Sequence, residues 1–412
     1  MNPYRIKLVR FENGERFPML CYRRDGMPVH SATLWILTEL RGANLSTSTL
    51  HQALRSLMVL FIALEELKID LCARLRGGQF LSVGDVEAIV RACKLPIAAD
   101  NRKQSSVIFV WPAVTMNSVL QPSTIAIRHL YIARYLDWVA TDHLLKIGGS
   151  PHFMVLEKLR ELVSKAIKAR MPSVHRFSSL TPREGLTEQM LSVLQKAIVP
   201  ESEHNPWCHD YTRQRNYLVI RWLLSLGVRR GELLGVKISD INFQTNEVLI
   251  ARRADDPADP RLRQPNTKTN GRLLALDAEL AELTRAYVMS SRRNIQGARK
   301  HEYLWVAGGS GKPLSLAGLN KLFVTLRQHC PALPENLCPH LLRHTWNDLF
   351  SEAIDRNNVS STVEQKLRSR LMGWSETSEM AVVYNKRHIN KKATAVSLQM
   401  QNQLRVEAHP DE

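Results

Sequence analysis

Apolar residues recur at three- and four-residue spacing over much of the chain, and this pattern predicts a mainly helical protein. Leu50, Leu54, Met58, Phe61 and Leu64 would line one face of a helix from about Thr47 to Leu67. Ser82-Val83-Gly84-Asp85 has the spacing of a capping box and predicts a helix running to about Cys93. Two more helices are expected at 123–145, with Ile127, Leu130, Arg134 and Trp138, and at 152–171, with Leu156, Leu159, Leu162 and Ile167. Further on, helices are expected from about Thr187 to Ala197 and from about Tyr211 to Leu226, with Gly227 where a C-terminal cap belongs. Strand signals are few. Tyr4 to Phe11, and Phe17 to Arg23 before the Asp25-Gly26 turn, give residues 1–45 a strand-rich reading. Glu247 to Arg253 and Gly271 to Leu276 read as two strands joined by a long polar connection. The stretch 94–122, broken by Pro96, Pro112 and Pro122, is loop-rich.

The 412 residues exceed one ordinary core, so two domains are expected. The boundary falls in the aperiodic Pro- and Ser-rich run Met171-Pro172-Ser173 through Leu180-Thr181-Pro182. It separates an N-terminal domain, 1–178, from a C-terminal domain, 186–405, through a linker at 179–185. The longest purely apolar run, Leu57 to Leu64, is far short of a membrane span, and the N-terminus lacks the apolar core of a secretion signal. No membrane partner and a reducing, cytoplasmic setting are therefore expected. Cys21, Cys72, Cys93, Cys208, Cys330 and Cys338 are scattered without a CxxC pair. They read as free thiols, mostly in cores, and neither a disulfide framework nor a zinc site is indicated. Charge bears on the partner: 56 Lys and Arg against 39 Asp and Glu leave a formal +17, which favours a polyanion such as a nucleic acid.

Four places in the C-terminal half carry candidate chemistry. Gly227-Val228-Arg229-Arg230-Gly231-Glu232 sets a cation after a helix stop, with a carboxylate one turn on. Pro265-Asn266-Thr267-Lys268-Thr269-Asn270-Gly271 places a lysine between the two strands. Pro339-His340-Leu341-Leu342-Arg343-His344 starts a helix whose His340, Arg343 and His344 share a face. Met372-Gly373-Trp374 is followed ten residues later by Tyr384, the only tyrosine after Tyr303. Taken singly, each has an ordinary structural reading as a solvated cation, a polar helix face or a packed ring.

In this order, however, the set resembles the tyrosine recombinase (phage integrase) family. The resemblance covers 186–400 and, more weakly, the N-terminal helices. It implies a mainly α fold of two domains: an N-terminal helical core-binding domain, and a catalytic α-helical domain with a small antiparallel sheet. Matched by position, Arg229, Lys268, His340, Arg343, Trp374 and Tyr384 would be catalytic, with Glu232 and His344 supporting. Arg229 rather than Arg230 fits the Gly-x-Arg-x-x-Glu-Leu register; Lys237, which precedes the strands, is the weaker alternative to Lys268. The step from Trp374 to Tyr384 is slightly longer than in many members. The implied activity is site-specific cleavage and rejoining of double-stranded DNA through a 3′-phosphotyrosyl link, independent of metal, ATP and cofactor, by a homotetramer on two sites.

That chemistry suits these residue types. Attack on a phosphodiester builds charge on its non-bridging oxygens, which the planar forks of Arg229 and Arg343 would clamp. A phenol of pKa near 10 is only about one part in a thousand ionised at pH 7, a cost of about 4 kcal/mol. Nearby cations lower it, His340 would take the proton, and Lys268 would protonate the leaving 5′-oxygen. Trp374 can only donate a hydrogen bond. Three rivals stand beside this reading: a type IB topoisomerase-like enzyme, a catalytically inactive architectural protein, and a metal-dependent nuclease using Asp255, Asp256 and Asp259. The separate N-terminal helices and the tail beyond Tyr384, with Ile389, Ala393, Val396 and Met400 at roughly helical spacing, favour recombination.

Overall fold

The chain divides into two units, Met1–Phe177 and Ser178–Glu412, each with its own apolar core. The computed structural model describes residues 2–97, 119–174, 185–265, 269–357, 359–375, 393–394 and 396–403. Most of the loop-rich stretch and nearly all of the expected linker lie outside them.

In the first unit, β1 (Tyr4–Arg10) and β2 (Arg16–Tyr22) pair antiparallel in register from Tyr4↔Tyr22 to Arg10↔Arg16. The expected strands are present, yet residues 1–45 are not all strand-like. His30–Trp35 forms α1, continued by a π-helical turn over Ile36–Arg41. Ala32, Trp35, Ile36 and Leu40 are buried on its inner face. The β-prone run Thr33-Leu34-Trp35-Ile36 obscures that helical spacing, and burial overrides it.

Next come α2 (Thr47–Glu66), α3 (Leu71–Arg76), α4 (Val83–Lys94), α5 (Pro122–Lys146) and α6 (Phe153–Ala169). By length and apolarity α2 resembles a membrane span, but its Leu50, Leu54, Leu57 and Leu60 are sealed inside the core. It packs against β2, α4 and α5. The capping box of α4 forms: Ser82 Oγ accepts from the Asp85 amide at 3.2 Å, and Asp85 Oδ2 accepts from the Ser82 amide at 2.8 Å. Tyr4, Phe17 and Leu20 join the core, so the hairpin is packed into this unit.

The second unit comprises α7 (Glu188–Ile198), α8 (Asp210–Leu226) and α9 (Arg230–Gly235), then β3 (Ile241–Asn242), β4 (Glu247–Ile250) and β5 (Arg272–Ala275). After these come α10 (Ala278–Ala286, prolonged by a π-helical turn to Arg292), α11 (Leu316–His329), α12 (Pro339–Arg356) and α13 (Ser361–Met372). Residues 393–394 and 396–403 are also helical. The three strands form one antiparallel sheet in the order β3-β4-β5, with Ile250 opposite Arg272.

Two buried contacts hold α9 in place. Trp305 Nε1 donates to the Leu233 carbonyl at 2.9 Å, and Arg261 donates to that of Leu234 at 3.0 Å. Gly227 ends α8 in the left-handed region at φ 58°. A side chain there would start 2.7 Å from the Trp346 ring, so glycine is required twice over. All six cysteines are free; only Cys21 and Cys93 are buried, fewer than expected, while Cys72 and Cys208 are exposed.

Candidate active site

The site assembles around one buried carboxylate. Glu232 lies in the first turn of α9, its side chain fully enclosed. Its oxygens accept from the Arg229 amide at 2.8 Å, the Arg229 guanidinium at 3.3 Å and Arg272 at 2.9 Å. The Thr269 hydroxyl also donates to it. Arg343 approaches from α12, its Nη1 3.9 Å away. Burial alone would raise the pKa of Glu232, but the Arg272 pair, Thr269 and the Arg229 amide outweigh it and lower it to about 2. One ionised carboxylate against the guanidiniums of Arg229, Arg272 and Arg343 leaves a local cationic surplus suited to a phosphate.

These arginines differ in access. The Arg229 side chain is about a third exposed, whereas those of Arg272 and Arg343 are nearly enclosed. Arg343 Nη1 donates to the Gly227 carbonyl at 2.7 Å, tying α12 to the left-handed end of α8. Arg230 is exposed and points the choice to its neighbour Arg229, whose guanidinium faces Glu232.

Trp374, nearly buried, follows α13 and Gly373. Its amide donates to the Ser369 carbonyl at 2.9 Å, and the Arg343 guanidinium lies 5.7 Å from its ring centre. Trp374, Gly373, Arg370, Arg272 and Asn270 help line a cavity of about 220 Å³ between β5 and the end of α13. Pro339 occupies the first turn of α12, where its missing N–H costs nothing. Beside it in that turn, the exposed His340 ring packs against the buried His344 ring one turn on, edge to face at 4.4 Å between centres.

Thus Arg229, Glu232, Arg343 and Trp374 come together, and His340 with His344 sits on the helix that supplies Arg343. Lys268 and Tyr384 lie outside the described residues. Lys237, the alternative lysine, is engaged elsewhere: its ammonium sits 2.9 Å from Asp256, which also accepts from the Tyr303 hydroxyl at 3.0 Å. Asp259 is fully buried against Arg261 at 2.9 Å. Two members of the acidic triplet therefore hold the β4–β5 connection through cations. Among the described residues, no group of three or more His, Cys, Asp or Glu is placed to hold a metal ion.

Two members of the cluster escaped sequence reasoning: Thr269 and Arg272. A signal existed for the second. Arg272, Leu274 and Leu276 alternate inward, so a charge occupied an apolar register and demanded a buried partner.

The family model described as the phage integrase family matches residues 196–391. Tyrosine recombinase XerD of Halalkalibacterium halodurans is 23% identical over 143 residues, 35% of this chain and 42% of that protein. The chain thus matches about two fifths of that curated relative's length. Among solved structures, the XerA recombinase is 19% identical, with 69% of this chain and 84% of that one covered, at a TM-score of 0.37. The XerH site-specific recombinase bound to a palindromic difH substrate is 14% identical over 77% and 85%, at a TM-score of 0.40.

Proposed function

We propose, from the match of residues 196–391 to the phage integrase family, that the protein cuts and rejoins DNA strands at specific sites through a covalent 3′-phosphotyrosyl link to Tyr384. The observation that carries the reading is the convergence of Arg229 and Arg343 on buried Glu232, which enclosed Arg272 also pairs, beside Trp374. Fixed guanidiniums stabilise the phosphorane more than the ground-state diester, because its non-bridging oxygens carry more charge. Arg229 is the most accessible of the three and the natural first contact for a phosphate.

The Tyr384 hydroxyl attacks phosphorus, His340 takes its proton, and Lys268 delivers one to the departing 5′-oxygen. Trp374 donates an N–H and moves no proton. Because the phosphotyrosyl ester keeps the energy of the diester, attack by another 5′-hydroxyl reverses the chemistry without ATP. The guanidiniums supply the charge that a metal pair supplies in two-metal nucleases. The helical unit 1–177 and the catalytic unit would grip one DNA half-site, with α2 and α5 toward the major groove and a homotetramer joining two sites.

The test uses a random-sequence duplex library and a denaturing gel. The parent should trap DNA covalently in the presence of EDTA, and Tyr384→Phe should lose that adduct while keeping its DNA affinity. An adduct that survives Tyr384→Phe, or one that EDTA abolishes, refutes the mechanism. The trapped end also yields the polarity and sequence of the target.

A further inference from the structure

A helix leaves its last carbonyls without partners inside the helix, and α13 has an unusual set of them. The Ser369 and Arg370 carbonyls accept from the Trp374 and Gly373 amides in an ordinary left-handed ending. The next three are taken from outside. Arg272 Nε donates to the Leu371 carbonyl at 2.6 Å, Arg343 Nη2 lies 3.5 Å from that of Met372, and the Asn270 amide donates to that of Gly373 at 3.1 Å. The hairpin strand and the arginine cluster thus grip the turn from which the chain leaves toward Tyr384.

Arg272 is the member that does two jobs. One face of its guanidinium is paired with Glu232, and its Nε holds Leu371. Gly373, at φ 67°, lets it pass: a side chain there would begin 2.7 Å from Arg272 Nη1. The fit is tight on both sides. We propose that Arg272 is a positioning residue that fixes the end of α13, and so the approach of the nucleophile-bearing segment, to the same carboxylate that orients Arg229 and Arg343. With its side chain enclosed and its donors engaged by Glu232 and Leu371, Arg272 acts by setting the register between the cluster and the end of α13 at Gly373 and Trp374. The inference rests on the recombinase reading for its catalytic consequence but not for the clasp itself.

Arg272→Lys keeps a charge beside Glu232, but one ammonium cannot span Glu232 and Leu371 as the planar fork does. Displacements of about 1 Å in a reacting geometry can cost roughly a hundredfold in rate. On the duplex recovered from the trapping experiment, adduct formation should fall tenfold or more with unchanged DNA affinity. Hydrogen exchange should rise at 371–375 and stay constant in α8. The same duplex carrying a 5′-bridging sulfur, whose thiolate leaves without an acid, separates the two ends of the reaction. Lys268→Ala should be rescued by that sulfur, while Arg272→Lys should stay slow.

An Arg272→Lys variant that the sulfur restores, or that cleaves at the parent rate, overturns the proposal. If Arg272→Lys unfolds as a whole, Asn270→Pro loosens the same turn by removing one exposed amide donor, and the same pattern is expected of it. Should the parent form no adduct, the recombinase reading fails, while the exchange measurement still decides whether Arg272 clasps α13.

Discussion

Replacing Glu232 by glutamine tests the electrostatic centre of the C-terminal unit directly. Its carboxyl falls from an ordinary 4.5 to about 2 on folding. Each pKa unit is worth about 1.4 kcal/mol, so ionised Glu232 contributes roughly 3 kcal/mol at neutral pH. The sign follows from proton binding. The native state binds fewer protons than the unfolded state between these values, so the contribution is full above 4.5 and is lost as pH falls toward 2. Glutamine removes it at every pH and leaves Arg229, Arg272 and Arg343 without their shared anion, a change that costs about 3–5 kcal/mol in comparable buried pairs. Urea unfolding of the full chain, followed by tryptophan fluorescence at pH 7, 5, 4 and 3, should show two transitions. The mutant should shift only the one belonging to the C-terminal unit. The gap between parent and mutant should be widest at pH 7 and shrink as pH falls below about 4.5. A gap that stays constant down to pH 3 would mean that Glu232 is not held ionised by these arginines and is not their shared anion.

Gly227→Ala should destabilise the C-terminal unit by about 2 kcal/mol, since the left-handed backbone alone costs an L-residue roughly 1–2 kcal/mol. The 2.7 Å approach to the Trp346 ring adds to it, as thermal unfolding would register. Ser82→Ala should cost the N-terminal unit about 1 kcal/mol by breaking its capping box, lowering that transition by a few degrees in calorimetry and leaving the other in place. DNA binding should weaken steeply with salt, at a log–log slope of roughly −0.9 for each phosphate contacted. A flat response in a filter-binding titration would remove the cationic clamp.

Helix placement was legible where spacing and caps agreed. The helix after Ser82 forms with its capping box, and Gly227 closes α8 as its position implied. The failures have physical causes. The helix at 30–41 contains β-prone residues whose preference is overridden by burial of Trp35 and Ile36. Lys237 looks in sequence like any accessible lysine; only the fold brings Asp256 to it across an intervening sheet connection. The ordered set from Arg229 to Trp374 was visible because residue types at matching intervals accumulate specificity. Arg272 was not, because its importance lies in joining Glu232 to a carbonyl 99 residues away in the chain.

The end of α13 also bears on how the arginines stay together before any DNA arrives. Aligned peptide dipoles give a helix C-terminus the equivalent of roughly half a negative charge. In α13 that pole is directed onto Arg272 and Arg343 through the Leu371 and Met372 carbonyls. Glu232 and the helix pole thus share the task of balancing guanidiniums that would otherwise repel one another. Fraying of the last turn of α13 would therefore do more than free a few backbone groups. It would raise the electrostatic cost of the cluster, coupling the order of this one helix to the arrangement of all three guanidiniums.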